Sequence, residues 1–554
     1  MSENRLKIML FSHICSPSHI TGAEKMLIFF IQELREHHEC LLIVPNEGLL
    51  SEEARARGIQ TIAEPYSIVW KTYSPDLLLQ EILDGLTRTE NTSLGLLLRL
   101  LHSHRPDLVI ANTCVNALPP IAAKALGIPV AWMITERILQ NEFTPVAAEL
   151  IDRYADWIVG ISSTALAPFQ GEVIEPKKSI LYPSWSIDQL NQPSWPSYRE
   201  VKRSELRLLE GDRLLGYISS DIYPSKGADH FIQMALSLCT EFDHVFFAIV
   251  GKPTDPFYYG QCVEMIQGSG YASRFHLLPF QKQTEELYPA MDIVVVPSLV
   301  EEGFGMTALE GMIFGKPVAA YASGGLAEIM TRTGNTNFLA AKGQIDQLIQ
   351  VVRPLLLDDK LRQQIGGQNL LAVDNSFGPQ SYRIQLGRLM DGIGQSLPFL
   401  VRHDAVTPHA AMHSLLTILI RGSGPTIFLL NNGVRYPFPT ERVFRGWLYG
   451  FDRVIELPDT VVEVLPKGPL IRRAPWDLMP RKQKKAGLKI KRKRRRKKRR
   501  LLPKLVRRML RKNPAAKRKG SARKVRRKST VKRFWLKTRA PRHTVVERKR
   551  RWAA

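Results

Sequence analysis

The sequence predicts an α/β fold built on parallel sheets, and three observations carry that expectation. Ile293, Val294, Val295 and Val296 form an unbroken β-branched run, as in a strand buried on both faces of a parallel sheet. Residues 107–111 (DLVIA) and 128–134 (IPVAWMI) bracket a helix-length stretch that ends at Gly127, the pattern of a βαβ unit. Strand-like and helix-like segments alternate from residue 5 to about residue 397. The 554 residues suffice for about three domains of roughly 100–200 residues each.

Taken in order, residues 5–14 (RLKIMLFSHI) read as the first strand. Thr21-Gly22-Ala23-Glu24 fits a capping box, and Met26, Leu27, Phe30, Ile31 and Leu34 then recur at helical spacing. Residues 41–44 are the next strand, and Asn46 to Gly48 form a turn. His13 and His19 stand near this loop and read as core or surface histidines. Residues 156–161 (DWIVGI), followed by Ser162 and Ser163, give another strand and helix entry. The stretch 183–197, with three prolines and two tryptophans, reads as an inter-domain linker. This sets a first domain at 1–185 and a second at 186–397.

The second domain opens with a strand at 214–219 (LLGYIS), a loop to Lys226-Gly227 and a helix from Ala228. A lone lysine at a helix start is disfavoured by the helix dipole unless an anion faces it. Residues 245–251 (VFFAIVG) and 275–278 (FHLL) are two more strands. The run at 293–296 comes next, ended by Pro297 and Ser298. Gly303 and Gly305 keep the following loop free of bulk, and Thr307 to Glu310 fits a second capping box, so a helix is expected from about Thr307. Gly315 and Pro317 end it. A glycine loop that feeds a helix start after a parallel strand presents free N–H groups and a positive dipole end, which suits an anion. The other reading makes Glu310 only the cap partner of Thr307, and Glu301 and Glu302 only solvated loop charges. Residues 355–371 and on to about 397 read as helical.

The string Glu302-GFGMTAL-Glu310, with Pro297-Ser298 before it, GKPV after it and SGG-x-x-E from Ser323 to Glu328, resembles the donor site of the retaining glycosyltransferases of family 4, the group 1 glycosyl transferases. That resemblance covers about residues 5–397 and implies the GT-B fold, two Rossmann-like parallel-sheet domains facing a cleft. It implies a nucleotide-sugar donor, with Glu302 at the sugar hydroxyls, Glu310 on the ribose hydroxyls, and Gly303, Phe304, Gly305 and Thr307 lining the donor through the loop and helix start. It gives Lys226 to the diphosphate and Gly22, in the loop Thr21-Gly22-Ala23-Glu24, to the cleft face near the phosphates; a plain helix cap is the other reading of that loop. Glu302 and Lys226 are then the expected catalytic pair. The terminal helix is expected to cross back to the first domain, and the loop at Phe280 and Gln281 to approach the base. Two departures stand out. Thr135 and Glu136 occupy the place of a histidine, and Ser219, Ser220 and Asp221 the place of an arginine.

These readings imply transfer of a hexosyl group, with retention, from a nucleotide sugar to a cell-envelope glycan, lipid or polymer acceptor held by the first domain. A GT-B scaffold that binds nucleotide sugar or glycan with little turnover is the alternative. No cofactor is expected besides the donor itself. The chain has no Asp-x-Asp, so no divalent metal is expected either.

Residues 398–475 depart from this pattern, with short strands expected around Asn431-Asn432-Gly433 and a resemblance to a small repeat unit of bacterial surface and cell-wall-associated proteins; a binding module and an inert extension are both open. From residue 476 the chain is a basic tail. Of the 78 lysines and arginines, 37 fall in residues 481–554 with the single acid Glu547, so the body is mildly acidic although the net charge is +26. Most of this tail is expected to be disordered. Leu502, Leu505, Val506, Met509 and Leu510 follow amphipathic helical spacing among basic residues, and Phe534, Trp535 and Trp552 could anchor it. An anionic membrane surface or cell-wall polymer is the favoured partner. Nucleic acid is the alternative partner, without a helix-turn-helix, RNP or zinc-finger signature to support it. Five scattered cysteines without a CxxC pair, a start without a signal pattern and no membrane-length apolar run point to a cytoplasmic protein, peripheral on the inner face of the membrane through its tail.

Overall fold

The first sheet has seven parallel strands: β1 (Lys7–Phe11), β2 (Glu39–Val44), β3 (Gln60–Ala63), β4 (Leu108–Asn112), β5 (Val130–Ile134), β6 (Trp157–Gly160) and β7 (Lys178–Ile180). Their spatial order is 3-2-1-4-5-6-7, so the winding reverses between β1 and β4. In the computed structural model, which describes residues 5–186, 190–281, 284–400, 418–447 and 450–471, a second parallel sheet repeats this plan. It contains β8 (Arg213–Asp221), β9 (Val245–Lys252), β10 (Phe275–Leu278), β11 (Ile293–Val296), β12 (Val318–Tyr321) and β13 (Leu339–Ala340) in the order 10-9-8-11-12-13. The winding reverses between β8 and β11. Ligands of such sheets sit beyond the carboxyl ends of the strands at the reversal. The loops carrying Lys226 and Glu302 leave β8 and β11 at that point.

The β-branched run of β11 is buried on both faces, as its sequence requires. Asp292 before it is held by Arg199 at 2.8 Å and Arg203 at 3.1 Å, both on the helix Trp195–Glu205. Although burial opposes it, these guanidiniums keep the Asp292 carboxyl below the ordinary carboxylate range. That helix begins inside the stretch expected to be only a linker. Its first residue, Trp195, packs on Phe314 at 4.7 Å between ring centroids, so burying the indole fixes the chain there.

The helix Pro379–Leu400 returns to the first domain. Tyr382 meets Phe29 at 4.9 Å and Arg383 pairs with Glu33 at 2.6 Å, while Leu386, Met390, Ile393 and Leu397 join the core formed by Leu27, Ile28 and Ile31. All five cysteines are buried and unpaired.

A third, mixed sheet contains β14 (Ile418–Arg421), β15 (Phe428–Asn431), β16 (Val434–Pro437) and β17 (Val454–Glu456) in the order 16-15-14-17. Asn432 and Gly433 turn the β15–β16 hairpin with positive φ at both positions (48° and 72°), the two-residue turn that an Asn-Gly pair favours. This sheet is packed on the first domain. Gly433 N–H donates to the Ala125 carbonyl at 2.8 Å, Arg453 pairs with Asp84 at 3.0 Å, and Gly95 admits Ile455 so closely that a Cβ there would lie 3.1 Å from it. The basic tail, including its amphipathic stretch and aromatic residues, lies outside the described residues.

Candidate functional site

The site grows from the end of β11. The N–H groups of Leu299 and Val300 both donate to the Ser225 carbonyl, at 2.9 and 3.1 Å, which ties the glycine loop to the turn Pro224–Lys226 after β8. Gly227 closes that turn at φ 71°, and a Cβ there would stand 2.1 Å from the Pro297 carbonyl oxygen, so only glycine lets the two loops meet. The result is a charge pair. Lys226 Nζ lies 2.6 Å from Glu302 Oε1, and Ser298 Oγ donates to the same oxygen at 2.6 Å. Burial pulls the Lys226 ammonium towards neutrality, but the Glu302 carboxylate outweighs it and holds the pKa above the ordinary lysine value.

A second glycine loop backs the first. Gly325 N–H donates to the Glu302 carbonyl at 2.8 Å, and Gly324 stands at φ 57° against the same oxygen. The helix after the loop runs Met306–Ile313, with Gly305 at its N-cap in the left-handed region (φ 112°) and no side-chain cap. The expected Thr307–Glu310 capping box is therefore absent. Gly305 takes the cap position because the chain turns there with positive φ, which puts Thr307 inside the first turn. The Glu310 carboxylate instead accepts from the Tyr288 hydroxyl at 2.7 Å. Burial raises its pKa above the ordinary glutamate value, against the opposing pull of the Tyr288 hydroxyl and of Lys25, one turn into the first-domain helix Gly22–Leu34.

The remaining site residues divide. Gly22 lies at the exposed amino end of its helix with open space around its Cβ position. Thr21 caps that helix with the full reciprocal box to Glu24, as expected. Phe304 is buried and wedges its ring against Phe377 at 5.5 Å and Tyr182 at 6.2 Å, so any donor contact of this residue is through its backbone. Gly303 lies where the two domains touch. Its carbonyl accepts from Ser162 Oγ, and a Cβ on it would be 3.2 Å from the Thr135 carbonyl oxygen and 3.3 Å from Glu136 Cα. Where an arginine was missing, Ser219 Oγ turns back onto the Asp221 carbonyl, and Asp221 accepts from Thr254. His13 is half-buried and burial drops its pKa to about 4, so it is neutral at physiological pH.

Several contacts at this junction were not legible in the sequence. Glu328 accepts from Ser163 N–H at 3.0 Å, from Ser163 Oγ at 2.7 Å and from the Tyr182 hydroxyl at 2.6 Å. Arg137 pairs with Glu301 at 3.1 Å, and Glu301 also holds Lys342. Tyr288, the partner of Glu310, carried no motif; a tyrosine 22 positions upstream gives no periodic cue. An open depression of about 570 Å³ lined by Lys7, Glu39, Arg55 and His104 lies at the amino ends of β1–β3, the wrong end of the sheet for a ligand of this fold. Among the described residues, no helix is long and apolar enough to cross a membrane.

Residues 199–369 match the family model described as glycosyl transferases group 1. Over 164 residues the chain is 30% identical to a 2-deoxystreptamine glucosyltransferase of Streptomyces kanamyceticus, covering 29% of this chain and 41% of that one. Over 181 residues it is 28% identical to a D-inositol 3-phosphate glycosyltransferase of Mycobacterium tuberculosis, covering 32% and 35%. The match thus spans about four-tenths of the length of these curated relatives. The fold is similar to that of Anabaena HepE, solved in complex with UDP and glucose, with a TM-score of 0.58 at 19% identity over 70% of this chain and 100% of that one. The chain is therefore similar to the group 1 glycosyl transferases over residues 199–369 and carries the GT-B fold in its two parallel-sheet domains.

Proposed function

We propose that this protein transfers a hexosyl group from a nucleotide sugar to a hydroxyl acceptor, with retention at the anomeric carbon. The observation that carries the reading is the Lys226–Glu302 pair, held at 2.6 Å beside a glycine loop and a helix N-terminus where the second sheet reverses its winding. Lys226 and the loop N–H groups face the diphosphate, whose charge grows as the bond to C1 breaks; each such donor is worth about 3 kcal/mol in a transition state. Glu302 orients the sugar hydroxyls and Glu310 accepts from the ribose. UDP-glucose is the first donor to try, because HepE is solved with UDP and with UDP-glucose. The first domain holds the acceptor, a glycan, lipid or polymer of the cell envelope. No divalent metal enters this scheme, since Lys226 and the loop amides carry the positive charge.

The test is calorimetry with UDP-glucose and UDP, followed by UDP release in the presence of acceptors. Binding that is lost in Glu310→Ala and turnover that is lost in Lys226→Ala support the reading; no binding of any nucleotide sugar overturns it. One observation favours a second reading. Serines and an aspartate stand at 219–221, bonded among themselves and to Thr254, and they add no cation beside Lys226. Tight binding without turnover of any donor would select that reading, a scaffold that recognises nucleotide sugar.

A further inference from the structure

The scheme above leaves the diphosphate with Lys226 as its cation, and Lys226 is shared with Glu302 at 2.6 Å. Where a further cation was expected, Ser219, Ser220 and Asp221 stand. A diphosphate needs several donors, because each oxygen taken from water without one is costly.

Two tyrosines, one from each domain, supply donors of the right kind. Tyr223 is the residue before the turn Pro224–Lys226, and its carbonyl accepts from the Lys226 N–H at 2.9 Å. Tyr73 follows the short turn Trp70–Thr72 of the first domain. Both phenols lie within electrostatic reach of the Lys226 ammonium, and of each other. Backbone contacts fix Tyr73 beside the donor loop. Its carbonyl accepts from the Leu139 N–H at 2.9 Å, and the Val69 N–H donates to the Val115 carbonyl at 2.7 Å, so its turn is tied to the loops after β5 and β4. The loop after β5 meets the donor loop directly: a Cβ on Gly303 would be 3.2 Å from the Thr135 carbonyl oxygen.

Packing does not account for the phenol oxygens. The Tyr73 ring stands edge-to-face to Trp70 at 6.3 Å, a contact that a phenylalanine would make equally well. Both tyrosines are half-buried, and among the described residues no hydrogen bond reaches either hydroxyl. Burial raises the Tyr73 pKa, so its hydroxyl keeps its proton at neutral pH and can donate it to an anion.

Resting on the transferase reading, we propose that Tyr73 and Tyr223 are donor-binding residues whose hydroxyls donate to the diphosphate from the two domains, in place of a second cation. They add hydrogen bonds to a charged group without setting another positive charge next to Lys226. Because Tyr73 belongs to the first domain, the diphosphate is fully held only when the domains are closed on it.

The test uses the full chain and its Tyr73→Phe and Tyr223→Phe variants, which lose one oxygen each and keep the ring. Calorimetry first finds which of UDP, GDP and ADP the wild-type chain binds, and then compares that diphosphate with its nucleoside. In each variant the diphosphate Kd weakens by about tenfold, as for loss of a hydrogen bond to a charged group. The nucleoside Kd stays within about threefold, since base and ribose are untouched, and the melting temperature holds. An unchanged diphosphate Kd in either variant overturns the assignment. So does an equal loss for the nucleoside, or a loss that comes with a lower melting temperature. A wild-type chain that binds none of the three diphosphates overturns the transferase reading itself, and this inference with it.

Discussion

Lys226 Nζ and Glu302 Oε1 stand 2.6 Å apart although 76 residues separate them in sequence. Each side chain is about a fifth exposed, so the pair is partly screened and partly open to a ligand. An incoming diphosphate must share Lys226 with Glu302. Removing each partner should therefore move UDP affinity in opposite directions. Lys226→Ala weakens UDP binding and lowers turnover by on the order of 100-fold. Glu302→Gln frees the ammonium, so UDP binds as tightly as before or more tightly, while sugar transfer falls because the sugar hydroxyls lose their carboxylate. Calorimetry with UDP and rate measurements with UDP-glucose check both signs; weaker UDP binding in Glu302→Gln would show that the carboxylate is not competing for Lys226.

Glu310 gives a pH dependence of defined sign. Burial raises its pKa above the ordinary glutamate value, so it takes up a proton at a higher pH than a free glutamate does. A protonated Glu310 accepts fewer hydrogen bonds from ribose hydroxyls. UDP affinity should hold at neutral pH and fall as pH drops through that raised pKa. Stability runs the other way: the folded state holds the proton more tightly than the unfolded chain, so this group's contribution is fully present below the unfolded pKa and is lost as pH rises through the folded one. Glu310→Gln should flatten both curves. Titration calorimetry and thermal melts across the acid range provide the check, and an identical UDP affinity curve in Glu310→Gln would remove Glu310 from the site.

The strands of the second sheet were legible because β-branched residues have few other places to go; β11 and the stop at Gly315 follow directly from local chemistry. The pair of Lys226 with Glu302 was not legible as a contact. It depends on β8 and β11 being neighbours, and strand order is not a local property. The capping box expected of Thr307 and Glu310 does not form, because the positive φ of Gly305 moves the helix start by one residue and leaves the Glu310 carboxylate for Tyr288. Trp195 was read as linker because proline-rich composition resembles a linker whether or not its aromatic residues find a surface. The junction residues Ser163, Tyr182 and Glu328 belong to elements about 150 residues apart and carry no shared pattern.

Glu328 joins the two domains. Its carboxylate collects donors from Ser163 and Tyr182, and Arg332 lies over the Tyr182 ring at 4.6 Å. Glu328→Ala leaves the hydroxyl of buried Tyr182 and the two donors of exposed Ser163 without their acceptor, at a cost of about 1 kcal/mol. Ser162, next to Ser163, donates to the Gly303 carbonyl, so loosening this junction should loosen closure over the donor loop too. A lower melting temperature together with a higher KM for the donor is expected. A lower melting temperature with an unchanged KM would make the contact purely structural.

The third sheet is expected to support the first domain rather than to ride on it as a separate module. Ile418, Ile420, Phe428, Leu430 and Ile455 are in one continuous core with Leu94, Leu97, Leu98 and Leu101, on the first-domain helix Asn91–His104. Gly95 on that helix has no side chain to fill the space that Ile455 occupies. Ile455→Ala should therefore destabilise the whole protein by about 2–4 kcal/mol, as for a cavity in a domain core. Arg453→Ala should cost less, since Asp84 is 40% exposed and its pairing is largely screened by solvent. A chain ended before residue 418 should expose the apolar helix face and lose solubility or melt at a lower temperature. Thermal melts of the three proteins decide the matter: a separately folding module would leave the main transition where it was, whereas a shared core moves the main transition down in the order Arg453→Ala, Ile455→Ala, truncation.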